Sequence, residues 1–190
     1  MPVWISHADG VLAELWQNVP TATNATILPP GAPDAEFYCA GINYDSRVTG
    51  YTPNLFLNSP GFFNTSPTFN PTGTLNNTFI LFTGQTYLNA GVNTFLVPHD
   101  DGVTLNFAGI GLVLNQPGPT SPVTTAFDVT APSAGLYDFT LQYCECTGPP
   151  AVLEFSVNSV IVGVPEPSST LLLSTGGLGL LVALRRRQRE

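Results

Sequence analysis

The one concentrated set of reactive side chains in this sequence is Asp100-Asp101-Gly102. Asp-Gly between alternating strands is a hairpin signal. That accounts for Asp101-Gly102 and leaves Asp100 without a role. The two histidines, His7 and His99, stand in no metal-ligand spacing and adjoin no nucleophile motif. No Gly-x-Ser-x-Gly, P-loop or dinucleotide fingerprint occurs. Paired carboxylates can run glycoside hydrolysis, but the acids here lie in turns or in strand contexts of low specificity. The expectation is a non-enzyme.

The elements that must position these residues are strands. The chain has 190 residues, enough for one domain with a proper core and too few for two. Gly and Pro number eighteen each, which favours turns over long helices. Strands are expected over 78–82, 92–97, 103–107, 123–129, 135–143 and 152–157, short runs rich in Val, Phe, Thr, Tyr and Leu between turn residues. Alternation is clearest in Leu136 to Tyr143, where Asp138, Thr140 and Gln142 share one face. This spacing predicts an all-β, antiparallel β-sandwich. Residues 44–76, dense in Asn, Pro, Thr and Gly, read as loop. Within residues 8–16, Val11, Leu12, Leu15 and Trp16 fit a helical stripe with Asp9 as cap. The tryptophans and phenylalanines are expected in the core.

Charged residues make up 9% of the chain, against about 25% in ordinary soluble domains. Lys is absent, and four of the five Arg are Arg185, Arg186, Arg187 and Arg189. Residues 1–163 therefore carry one base, Arg47, against eleven acids. A body this acidic repels phosphate backbones and excludes nucleic acid as a partner.

Two units are expected, a body over 1–163 and a tail over 164–190. Ser168 to Leu184 is uncharged, and as a helix would span about 25 Å, near the thickness of a hydrocarbon core. The Arg cluster after it stays on the cytoplasmic side, with the body opposite. Val164, Pro165, Glu166 and Pro167, an apolar helix and an Arg-rich end, in that order, resemble the PEP-CTERM sorting signal. The resemblance implies an exported Gram-negative protein handled by an exosortase, anchored in the envelope by the single membrane helix until processed. Residues 1–17 lack a basic n-region and an uninterrupted apolar stretch, so an export signal is expected upstream of Met1.

Cys144 and Cys146 lack the further Cys or His that a closed zinc site needs. In an exported protein a bridge from Cys39 to Cys144 or Cys146 is expected, with three buried free thiols as the alternative.

The body carries a second resemblance. Gly10 to Asn18, Phe79 to Gly84, Asn89 to Phe95, Val97 to Leu105, Ala134 to Tyr137 and Gln142-Tyr143 resemble the strands of protective-antigen-type domains, lectin-like β-sandwiches of jelly-roll type. The resemblance makes residues 8–16 a strand rather than a helix. It implies calcium bound by Asp100 and Asp101 through a cis peptide, with sugar hydroxyls as further ligands. The Asn that such domains place on a later loop is missing; Glu145 stands in that region as an oxygen ligand. The expected role is a surface or extracellular-matrix protein that binds polysaccharide with calcium. The rival is a structural envelope component without ligand, and a polysaccharide hydrolase is the third reading.

Overall fold

The computed structural model describes residues 10–20, 22–58 and 64–163. Two antiparallel sheets form the body. The first runs β4 (Asn64–Thr65), β2 (Ala35–Cys39), β1 (Val11–Trp16), β5 (Thr78–Leu88), β10 (Gly135–Glu145), β7 (Gly102–Phe107) and β8 (Gly111–Gln116). The second is organised around β6 (Gly91–Asp100). Along one edge β6 pairs with β9 (Val123–Ala131); along the other it meets β12 (Ser156–Val157) at Phe95-Leu96 and β11 (Val152–Glu154) at His99-Asp100. The outermost strands are β3 (Asn43–Asp45), on β11, and β13 (Val160–Ile161), on β12.

Alternation explains the layering. In β10 the side chains of Phe139, Leu141 and Tyr143 face inward, and those of Asp138, Thr140 and Gln142 line the outer face. Aromatic rings join the layers: Phe95 of β6 lies 5.6 Å from Phe107 of β7, and Phe139 lies 5.3 Å from Phe155. Such ring pairs add to the burial of area itself. Trp16 is buried as expected; Trp4 lies outside the described residues.

Residues 11–16 form a strand, so the helical stripe misleads. Val11, Ala13 and Leu15 are buried at every second position, and β1 is paired on both edges, to β2 and to β5. Over six residues the two periodicities overlap, and pairing on two sides decides. The expected strand over 152–157 is broken at Phe155, whose N–H bonds to Ile42 O between β11 and β12. The segment read as loop holds β3, β4 and two single-turn helices, α1 (Ser46–Thr49) and α2 (Pro53–Phe56). Asp45 caps α1 through the Arg47 N–H.

The disulfide expectation is corrected. Cys144 bonds to Cys146, and Cys39 is a buried free thiol. Cys39 lies on β2 and Cys144 on β10, with β1 and β5 between them, so no bridge can span the gap. The Cys39 Sγ donates to Val11 O, and burial pushes its thiol up to about 11.

Among the described residues no helix is long and apolar enough to cross a membrane. The expected span from Ser168 to Leu184 and the segment from Val164 to Pro167 lie outside the described residues.

Candidate functional site

Asp100-Asp101-Gly102 does not turn a hairpin. Asp100 ends β6 opposite Val152 of β11, and Gly102 opens β7 opposite Cys144 of β10. The chain crosses from one sheet to the other at Asp101, and the Asp100–Asp101 peptide is cis. All three residues are buried, with Asp100 4% and Asp101 1% exposed.

Gly102 is dictated by crowding. A Cβ there would stand 2.0 Å from Pro117 O and 2.6 Å from Pro117 C. That stretch of backbone is fixed in turn, because Pro117 O accepts from the Ala25 N–H. Gly102→Ala is expected to destabilise the body by about 2–3 kcal/mol through overpacking, read as a lowered denaturant midpoint.

Asp101 ties three segments together. Its Oδ1 accepts from the Thr120 N–H at 2.9 Å. Its Oδ2 accepts from the N–H of Cys146 at 2.9 Å, the N–H of Thr147 at 2.8 Å and the Thr147 hydroxyl at 2.9 Å. The loops after β8 and after β10 are thus held by one carboxylate. From beneath, the Asp101 carbonyl, which can only accept, takes a hydrogen bond from His99 Nδ1 at 2.7 Å. Nδ1 therefore carries a proton, and Nε2 faces Gln116 Oε1 and the Thr125 hydroxyl.

Asp100 is placed differently. Among the described residues no N–H or hydroxyl donates to its carboxyl, and the carboxyl of Asp101 stands beside it. Burial first, then the charge of Asp101, pushes Asp100 up to about 7, with Arg47 pulling weakly the other way. Arg47 itself is held by Asp45, 2.7 Å away.

Glu145 lies at the end of β10, fully buried. The Tyr143 hydroxyl stands between Asp100 O and Glu145 Oε2, the latter at 2.9 Å. A hydroxyl has one proton, and the Asp100 carbonyl has none to give. That single proton is shared between two acceptors, Asp100 O and Glu145 Oε2. Burial, then the charge of Asp101, pushes Glu145 up to about 8, against the hydrogen bond from Tyr143, which pulls the other way. Among the described residues Glu145 Oε1 has no hydrogen-bond partner.

The structure thus brings Asp100, Asp101 and Glu145 to one corner, yet among the described residues no three His, Cys, Asp or Glu side chains converge as a metal shell. The facing pair is Asp100 with Asp101, and Glu145 joins it through Tyr143. The donor set is hard oxygen, which suits calcium. Among the described residues no N–H donates to the Asp100 carboxyl, which suits a cation ligand. Tyr143, Thr120, Thr147 and His99 were not legible as parts of this corner. Only the alternation of β10, which sends Tyr143 inward and so toward the other sheet, offered a signal.

Comparison with solved structures decides the fold. The chain superposes on the PA14 domain of the antifreeze protein MpAFP with a TM-score of 0.63 at 20% identity, covering 84% of this chain and 94% of that one. The body has the PA14 fold. A PA14 sugar-binding domain from an RTX adhesin matches at 0.59 with 18% identity, over 82% of this chain and 96% of that one. A β-glucosidase from Kluyveromyces marxianus matches at 0.50 with 13% identity, over 77% of this chain but 15% of the enzyme. The PA14 body here is thus comparable to entire domains of the first two proteins and to a small part of the third. Residues 163–187 match the PEP-CTERM protein-sorting motif, which marks the chain for export and envelope sorting. No curated protein matches the chain by sequence.

Proposed function

We propose that this protein is an exported, non-enzymatic surface or matrix module, sorted by an exosortase through its tail, that holds polysaccharide with calcium at the Asp100–Asp101 corner. The observation that carries the reading is the Asp100 carboxyl, buried against the Asp101 carboxyl, with no N–H donating to it among the described residues. Carboxyls so placed need a shared proton or a cation. Calcium takes six to eight oxygens, so Asp100, the spare lone pair of Asp101 Oδ1, main-chain carbonyls and water fit its demand. Calcium would supply a positive point that accepts sugar hydroxyls as ligands. The chain's own work is to exclude solvent around Asp100 and to orient Asp101 through its four donors. The adhesin PA14 domain described as sugar-binding supports the ligand class.

A second reading, a structural component without ligand, is favoured by one fact: Asp101 is engaged on both oxygens by loop donors. An array of bacterial exopolysaccharides separates the two. Retention in calcium, lost in chelator and lost in Asp100→Asn, is the expected result. Equal retention with and without calcium, or none, removes the calcium-lectin reading, and release of reducing ends would favour a hydrolase.

A further inference from the structure

At the end of the body remote from the acidic corner lies an open groove of about 620 Å³, lined mainly by apolar side chains together with Gln85, Thr86, Asn89 and Asn158. Its lining includes Tyr87, Leu136, Asn158, Val160, Ile161 and Gly163, and none of the described residues lining it is charged. That is notable in a body whose first 163 residues hold eleven acids. Tyr87 is 57% exposed, Leu136 60% and Val160 68%. Val92, 63% exposed, opens β6 at the same end. Contiguous apolar surface of this kind marks a contact site.

The sorting motif begins in this groove. Gly163 is both the first residue of the motif and part of the lining. It is seated firmly: it bridges Gly41, and a Cβ on it would stand 1.9 Å from Ala40 O. Only Val164 to Pro167 separate it from Ser168, where the uncharged run begins. Five residues reach at most about 17 Å. The corner is farther off, because β10 runs from Gly135 at this end to Glu145 at the other, about 30 Å along a strand.

We infer that, before the tail is processed, the groove end seats on the lipid bilayer itself, with Tyr87, Leu136, Val160 and Ile161 entering the interfacial layer. The inference rests on the reading that residues 168–184 anchor the chain. An exposed tyrosine among aliphatic side chains suits that layer, where the ring is buried and the hydroxyl stays wet. The tether holds the groove near the membrane, and the absence of charge among its described lining residues lowers the desolvation cost, with Asp138, bonded to Gln85 of the lining, kept at the wet rim. The acidic corner then points away from the bilayer.

The test uses the full chain in phosphatidylcholine vesicles whose acyl chains are brominated near the headgroup. Flotation with the vesicles reports the anchor by itself. The indole introduced by Leu136→Trp, and separately by Tyr87→Trp, is expected to lose most of its added emission relative to unbrominated vesicles. Val48→Trp, at an exposed site beside the acidic corner, is expected to lose none. Floating protein with equal emission at all three sites overturns the seat and leaves the anchor standing. Quenching that follows protein density rather than bromine identifies a second copy as the occupant and overturns it too. Failure to float overturns the anchor, and the seat with it.

Discussion

Asp101→Ala is expected to lower the stability of the body by about 3–5 kcal/mol, measured by denaturant unfolding in chelator so that no metal contributes. The change removes the acceptor of Thr120 N–H, Cys146 N–H, Thr147 N–H and the Thr147 hydroxyl at a site 1% exposed. Each buried donor left without a partner costs about 1–3 kcal/mol, softened where loops open to water. Asp100→Asn is expected to cost much less, since among the described residues no N–H or hydroxyl serves that carboxyl. The contrast separates a structural carboxylate from its neighbour. Equal losses would mean that the two share one structural role.

Stability should fall as pH rises. Asp100 is pushed up to about 7 and Glu145 to about 8, in both cases by burial first and the charge of Asp101 second. Raised carboxyls mean that the native state holds protons which the unfolded chain has released. Their contribution is complete below the unfolded values near pH 4. It is lost progressively as pH climbs through 7 and 8. Asp45, lowered by its bond to Arg47, works in the opposite direction below about pH 4, and weakly, because that pair is exposed. Between about pH 5 and pH 8.5 the denaturant midpoint of the metal-free protein is expected to fall. Glu145→Gln mimics the protonated form: nearly neutral at pH 5, it is expected to raise the denaturant midpoint at pH 8.5. A midpoint that rises from pH 5 to 8.5 in the unchanged protein would contradict the protonated corner.

What the residues made legible was the sheet, and what they hid was the pairing between distant segments. Alternation in Leu136 to Tyr143 reports a face buried and a face wet, because the period of a strand is two. The same logic was available for Ala35-Glu36-Phe37-Tyr38-Cys39, whose odd-numbered positions are buried, but five residues beside a Pro-rich and Asn-rich stretch give little contrast. Asp100-Asp101-Gly102 drew notice by composition alone. Its role as a corner between sheets did not, since a turn dipeptide says nothing of which sheet each flanking strand joins. The disulfide failed for the same reason. Cys144 and Cys146 are two residues apart and meet locally, whereas the partner of Cys39 depended on a strand order no spacing encodes.

In the proposed function, protons and calcium compete for one buried carboxyl corner. Calorimetric titration of calcium into the protein near pH 7, repeated in two buffers of different ionisation heat, tests it directly. The account predicts one calcium per chain and an apparent heat that differs between buffers, because the ion displaces protons from Asp100 and its neighbours. No binding is expected to Asp100→Asn, a variant expected to fold. Absence of binding heat, or binding to Asp100→Asn indistinguishable from that of the unchanged protein, would contradict the account.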